Sequence, residues 1–253
     1  MRIPRDTWLI FQRHMGLFLR NPVWVAIGLI QPLLYLLLFA PLLKSIASVR
    51  GFPPGGAYNV FVPGLLIQLG LFGATSVGFG LIHELRIGVI ERMRVTPVSR
   101  LALLLGRALR DVVTLLVQSL IIVLLSLPFG LTIHVTGLLV ILALLGLIGL
   151  LFASISYAVA LWVKSEDSFA PLVFSATLPL LLLSGVLLPM SLAPDWLRAI
   201  ALADPLSYAV DAGRAVFNDH LGDVSVVKGV AIMAALAVVA VAAAARSFNR
   251  AVA

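Results

Sequence analysis

Long uninterrupted runs of apolar residues, broken by short clusters of charge, glycine and proline, set the pattern of this 253-residue chain. A bilayer core takes about 20 residues of α-helix at a rise of about 1.5 Å per residue. Six runs reach that length: Val23–Leu43, Tyr58–Ile82, Leu101–Pro128, Val135–Val163, Ser168–Met190 and Val224–Ala245. The third and fourth are longer than a crossing requires, which predicts tilt or extension beyond the membrane rather than extra crossings. The short stretch around Pro128, Gly130 and His134 predicts a tight helical hairpin between them. The runs are continuous, without the alternation of a β-barrel strand. The predicted fold class is an all-α membrane protein of six transmembrane helices, packed as a single domain over residues 1–253.

Two segments follow neither the spanning nor the loop pattern. Residues 4–20 interleave Trp8, Leu9, Phe11 and Phe18 with Arg5, Arg13 and Arg20. This predicts an amphipathic interfacial helix, with Asn21 and Pro22 breaking the chain into the first span. Between the fifth and sixth spans, residues 194–217 are too polar to cross and too apolar for a solvated loop. Pro194 with Asp195 and Asp204 with Pro205 resemble helix starts, and Trp196 and Tyr208 suit a membrane surface. Two short re-entrant outer helices are predicted there, and backbone at that depth must be buried in protein or line water. The first apolar run is too long for a signal peptide and no small-residue cleavage site follows it, so it reads as a retained span.

Composition fits this picture. The chain is 61% hydrophobic and 11% charged, with a mean hydropathy of +1.12, well outside the soluble range. A formal charge of +7 would suggest nucleic acid in a soluble protein, but its distribution says otherwise. Thirteen Lys and Arg fall in the N-terminal segment, the loop after the second span with the start of the third, the fourth loop and the C-terminal tail, against five on the opposite side. Both termini are therefore predicted to be cytoplasmic, in a bacterial plasma membrane, with lipid rather than nucleic acid as the basic surface's partner.

Several chemistries are excluded or disfavoured. There is no cysteine, hence no disulfide or thiolate chemistry. No Gly-Lys-Ser or Gly-Lys-Thr occurs, so the chain carries no P-loop and is not predicted to hydrolyse nucleotide itself. The four histidines are scattered over both sides, and no metal site is predicted. Asp111, ten residues into the third span, has Arg107 and Arg110 as helical neighbours and reads as an ion-paired segment near the inner interface. Gln31, Gln68 and Gln118 are the conspicuous polar side chains within spans; they serve as interhelical packing bonds or as lining of a substrate path. Gly70, Ala74 and Gly78 repeat at four-residue spacing and predict close approach of another helix.

The densest charge lies in ELRIGVIERMRVTPVSR, residues 84–100, with four arginines and two glutamates. A helix over 84–96 would set Glu84 and Glu91 on neighbouring turns of one face, with Gly88 leaving room for a partner's backbone and Thr96 and Pro97 ending the helix. An inside anchor needs only arginines, so the acids favour a docking element.

Those residues, Glu84, Gly88, Glu91 and Arg92, followed by VTPVSR and LLLGRALRD, resemble the cytoplasmic loop of ABC-2 type transporter permeases. The segment LLLLSGVLLPMSLAPDWLRAIALADPLSYAVDAGR, Leu180 to Arg214, is similar to that family's Ser-Gly motif, proline-bounded linker and Asp/Asn-Pro-Leu-x-Tyr signature. The resemblance covers nearly the whole chain. It implies a non-catalytic membrane subunit, a homodimer with a second permease, driven by Mg-ATP hydrolysed on two copies of a separate nucleotide-binding subunit. It implies an ATPase-coupling role for Glu84, Gly88, Glu91, Arg92, Arg94, Thr96 and Pro97, and an outer gate formed by Pro194, Trp196, Pro205, Tyr208 and Arg214. The chain carries no cofactor of its own on this reading. The spans lack charge near their centres, so the expected cargo is amphipathic or hydrophobic, a drug, antibiotic or lipid, and the family's multidrug and antibiotic-resistance exporters are the branch it looks most like. An intramembrane enzyme needs acids or histidines converging within the membrane. A secondary carrier or channel needs mid-span ionisable groups or repeat symmetry. Both alternatives are weaker.

Overall fold

In a computed structural model of the chain, residues 3–20, 23–39, 41–42, 56–89, 99–187 and 189–251 are described. Among these the architecture is wholly helical. Among the described residues nine α-helices follow in order: α1 Ile3–Leu19, α2 Val23–Leu34, α3 Gly56–Arg86, α4 Arg100–Ser126, α5 Val135–Val163, α6 Glu166–Leu183, α7 Asp195–Ala201, α8 Pro205–Phe217 and α9 Val224–Ala251.

Five of them, α3, α4, α5, α6 and α9, are long and apolar enough to cross a membrane. The remaining apolar run, expected to span Val23–Leu43, forms a shorter apolar helix, Ala26–Leu38. Pro32 lies inside α2 and the helix relaxes into a π-helical turn at Tyr35–Phe39. Proline lacks an N–H and its ring crowds the carbonyl four residues back, which disturbs the regular ladder. Residues 23–39 measure about 25 Å along the axis, somewhat short of a bilayer core of about 30 Å. The other crossings begin within a few residues of expectation. The fifth ends early, at Leu183 rather than Met190, because Ser184 closes the helix and Gly185 takes φ of +75°.

Turn chemistry sets the connections. Ser99 caps α4 by accepting from the Ala102 N–H at 3.0 Å. Leu127–Phe129 forms a 3-10 turn ended by Gly130 at φ +100°, the hairpin into α5. Two acids, Glu166 and Asp167, open α6, where the helix dipole favours negative charge.

α3 is the centre of the bundle: from Ala57 to Leu71 its residues are buried almost without interruption. It packs against α4, α5, α6 and α8, while α5 packs broadly on α9. The small-residue stripe serves contacts within this chain. A Cβ at Gly70 would sit 3.2 Å from Ile148 of α5, and one at Gly78 would meet Phe169 of α6 and the Ser156 hydroxyl. That hydroxyl accepts from the Gly78 N–H at 2.9 Å and donates to the Thr75 carbonyl at 2.6 Å, so α5 is stitched to the α3 backbone.

Candidate functional site

Three features could carry function: a charged junction where α1 meets the bundle, a polar cluster at the opposite end, and a cavity between them.

At the junction, α1 lies along α4. Gly106 permits this, since a Cβ there would come within 2.6 Å of Ile10 and 2.8 Å of the Thr7 carbonyl. Ile10 and Leu103 form a small apolar cluster with Val89 packed beside it. The outward face of α1 presents Trp8, Leu9 and Leu17, with Trp8 and Phe11 stacked at 5.0 Å. Above the apolar contact, the Arg107 guanidinium of α4 pairs with the Glu84 carboxylate of α3. Arg107 is 3% exposed and Glu84 22%. His14 of α1 approaches the same carboxylate at 4.0 Å. Burial first, then the neighbouring Arg107, Arg110 and Arg13, push the His14 imidazole down to about 3, so it is neutral at physiological pH. One turn further, Arg110 stacks over the Phe18 ring at 5.3 Å and pairs with Asp111 at 3.1 Å. Asp111 accepts a hydrogen bond from Tyr157 of α5. Four helices, α1, α3, α4 and α5, are thereby joined through charged groups at one end of the bundle. Arg86 at the end of α3 adds a looser pair with Glu166 of α6, at 3.8 Å.

The helix expected over 84–96 is interrupted within the described residues. α3 stops at Arg86, the Ile87 and Gly88 N–H groups bond back to His83 and Leu85, and Gly88 takes φ of +71°. Left-handed backbone costs a residue with a Cβ about 1–2 kcal/mol, so Gly88 is a helix terminator here. Glu84 therefore belongs to α3 and faces Arg107, whereas Glu91, Arg92, Arg94, Thr96 and Pro97 lie outside the described residues. Sequence reasoning assigned Arg107 to Asp111. The cross-helix partner had only one signal, an arginine at a three-residue step from Arg110 inside an apolar run.

At the other end, Pro194 precedes α7 as its N-cap and Pro205 occupies the first turn of α8, where its missing N–H costs nothing. Asp204 caps α8 by accepting from the Leu206 N–H at 2.9 Å. Its other carboxylate oxygen is buried without a partner. Burial pushes this carboxyl up to about 6, against the downward pull of the Leu206 bond. Trp196 is 65% exposed on α7. Arg198 fastens α7 to the preceding 3-10 turn through the carbonyls of Met190, Ser191 and Ala193. The Tyr208 hydroxyl donates to the Leu202 carbonyl at 3.0 Å. Arg214 is buried rather than at a rim: it donates to the Val60 carbonyl at 3.1 Å and the Gly185 carbonyl at 2.6 Å, tying α8 to α3 and to the turn after α6. Asn59, which sequence reasoning passed over, donates to Thr132 Oγ1 at 2.9 Å and to the Phe217 carbonyl at 2.8 Å.

Between these ends lies a cavity of about 720 Å³, walled by α2, α3 and α4 and reaching to Phe18 of α1. Gln31, Gln68 and Gln118, one from each of those three walls, all line it. Arg110 and Asp111 form its end nearest α1. Among the described residues no group of three potential metal ligands converges.

Among the described residues, a helical bundle with five helices long and apolar enough to cross a bilayer is that of a multi-pass membrane protein. The family model for the ABC-2 type transporter matches residues 5–218, and the chain belongs to that family. It is 30% identical over 205 residues to the "Putative transport permease ycf38" of Porphyra purpurea, covering 79% of this chain and 69% of that one. It is 27% identical over 225 residues to the daunorubicin resistance ABC transporter permease protein DrrB1 of Streptomyces coeruleorubidus, covering 83% and 74%. A probable doxorubicin resistance ABC transporter permease protein, DrrC of Mycobacterium tuberculosis, is 24% identical over 212 residues, covering 83% and 75%. Membership in this family implies association with an ATPase subunit.

Proposed function

We propose that the chain is the permease subunit of an ATP-driven exporter that carries an amphipathic or hydrophobic compound, a drug, antibiotic or lipid, out of a bacterial cytoplasm. Mg-ATP is hydrolysed on two copies of a separate nucleotide-binding subunit, and the second permease of the assembly is another copy of this chain. The α1 end faces the cytoplasm, in keeping with the thirteen-to-five distribution of Lys and Arg. On this reading α2 is the first of six crossings, and α7 and α8 are the re-entrant helices of the outer leaflet. The resistance permeases among the relatives support a drug-like cargo.

The observation that carries the mechanism is the junction of Glu84 with Arg107 and of Ile10 with Gly106. It makes α1, the end of α3 and the start of α4 one body, and residues 90–98 join those two helix ends in sequence. An ATPase that displaces this segment, or α1 itself, shifts two spanning helices together, and the bundle tilts as a unit. The chain supplies motion and a path, and the ATPase supplies the chemistry. The test is co-reconstitution with the partner ATPase and measurement of ATP-dependent uptake of a fluorescent uncharged amphipathic compound into inside-out vesicles. Gly88→Leu and Glu91→Ala are expected to leave ATP hydrolysis running while uptake falls to background. Wild-type coupling in both variants, or pumping by the permease with no ATPase present, refutes the reading.

A further inference from the structure

We propose that the turn joining α7 to α8 is a proton-operated latch, closed while the Asp204 carboxyl is protonated and opened when it ionises. The latch rests on the exporter reading for the side from which the proton arrives, the outside. On that reading, cargo release is favoured by a neutral exterior and held back by an acidic one.

The turn is built so that one oxygen is left over. Pro205 has no N–H, and the Leu206 N–H goes to Asp204 Oδ1 at 2.9 Å. The Ser207 N–H and hydroxyl both go to the Asp204 carbonyl, at 3.2 and 2.7 Å. These groups leave no donor for Oδ2, which is buried without a partner in a residue only 4% exposed. Asparagine and serine cap helices about as well as aspartate, so capping alone calls for no charge here. A carboxylate held away from water with one oxygen unpaired is costly, whereas the acid form is neutral and costs far less to bury. Burial pushes this carboxyl up to about 6 against the pull of the Leu206 bond, and in spite of the helix dipole, which favours negative charge at this end.

Neighbouring charges do not supply the missing partner. Asp195 and Arg198 of α7 pair with each other at 3.6 Å, and Arg214 of α8 is held by two carbonyls. Asp211 of α8 borders a groove with Asp223 and Lys228 of α9, and His220 lies near Asp223. His134, before α5, pairs with Asp219 at 3.3 Å. The near end of α3 carries Tyr58, and neither the near end of α6 nor the 190–192 turn has a titratable side chain. Among the described residues none of these groups pairs with Asp204, so ionisation is answered only by water.

Water reaches Oδ2 when the corner opens. The Asp204 N–H donates to the Ala201 carbonyl and the Tyr208 hydroxyl to the Leu202 carbonyl, each at 3.0 Å, which closes residues 201–208 on themselves and leaves Ala201 4% exposed. Beyond the corner α7 is a light body, with Trp196 and Leu202 exposed and Arg198 as its polar tie to residues 190–193. In the open turn the carboxyl returns to its ordinary 3.8, so the closed form binds the proton more tightly and the open form gains as pH rises. From pH 5 to pH 7 the ratio of open to closed rises about tenfold by that linkage.

The chain has no cysteine, so single cysteines report cleanly. In the full chain in nanodiscs, Ala201→Cys is treated with a charged methanethiosulfonate reagent at pH 5 to 7. Its rate is divided by that of Trp196→Cys, an exposed site, to remove the thiol's own ionisation. The quotient is expected to rise about tenfold across that range. It is expected to stay flat with Asp204→Asn or Asp204→Ser, which keep a cap and carry no charge; the serine variant serves if the asparagine one does not fold. A quotient indifferent to pH with Asp204 in place, or one that rises equally in a folded uncharged variant, overturns the latch. With the partner ATPase, the turn faces the lumen of inside-out vesicles, and ATP-driven uptake is expected to be slower at luminal pH 5 than at pH 7 with Asp204 and equal with Asp204→Asn. Uptake indifferent to luminal pH with Asp204 overturns the control of release. Labelling is read on the permease alone: pH-dependent labelling without any ATP-driven uptake leaves the latch standing and refutes the exporter reading, whereas uptake with pH-independent labelling does the reverse.

Discussion

Removing the Glu84 charge tests the junction most directly, because the two members of the Glu84–Arg107 pair are buried to different degrees. Glu84→Gln leaves the Arg107 guanidinium, 3% exposed, without its counter-ion. His14 offers no help, being neutral and a potential donor rather than a carboxylate. Breaking a buried pair from one side costs about 3–5 kcal/mol, since the surviving charge stays desolvated. The converse change, Arg107→Met, strands a carboxylate that is 22% exposed and reaches water. That side should cost about 1–2 kcal/mol, closer to the value of a charged hydrogen bond. For a domain of this size each kcal/mol moves the Tm by about 2–4 °C. Glu84→Gln is therefore expected to lower the Tm by roughly 6–20 °C, Arg107→Met by roughly 2–8 °C, and the double variant by less than Glu84→Gln alone. The assay is thermal unfolding of detergent-purified protein followed by intrinsic fluorescence. Equal, small shifts for both single variants, with additive behaviour in the double, would refute the buried pair and with it the linkage of α3 to α4.

Three further outcomes are expected. His14 has a folded pKa of about 3 against an ordinary 6.5, so the unfolded chain binds the extra proton between those values and stability falls as pH drops from 6.5 towards 3; His14→Gln should flatten that part of a Tm-against-pH curve. Asp204 has the opposite sign, with a folded value of about 6 against 3.8, so stability falls as pH rises from 3.8 to 6. Asp204→Asn keeps the cap and should abolish that fall, while Asp204→Ala should lose about 1 kcal/mol at all pH values. Cysteines at Trp196 and Tyr208 should react with an impermeant maleimide added outside intact cells; reaction only after permeabilisation would invert the topology.

Much of the bundle is legible from apolar run length and from proline and glycine placement, because both act locally. Val135–Val163 is delimited by the Gly130 turn on one side and Lys164 on the other, and Pro194 and Pro205 mark the starts of α7 and α8. Side-chain partners across helices are less legible. Glu84 and Arg107 are 23 positions apart, and Asn59 and Phe217 are 158 apart. Only the crossing of α3 with its neighbours decides those pairings. Gly88 shows the limit of a motif: glycine suits both close approach and left-handed backbone, and the spacing of Glu84 and Glu91 favoured the first, whereas the structure uses the second. The three glutamines stand out because each is a polar side chain in an apolar run, yet their meeting in one cavity depends on how α2 leans against α3 and α4.

The attachment of Arg214 to Val60 and Gly185 has an asymmetric vulnerability. Its acceptors are main-chain oxygens, which every amino acid possesses. Position 60 is therefore restricted by its buried site rather than by acceptor chemistry, and position 185 by its φ of +75°. The guanidinium has no such freedom, since lysine cannot reach two divergent oxygens from one point charge. Loss of this one attachment by point substitution should thus arise mainly from codon 214, and suppressors of such lesions should appear as new donors on neighbouring helices rather than as changes to the carbonyl-bearing partners.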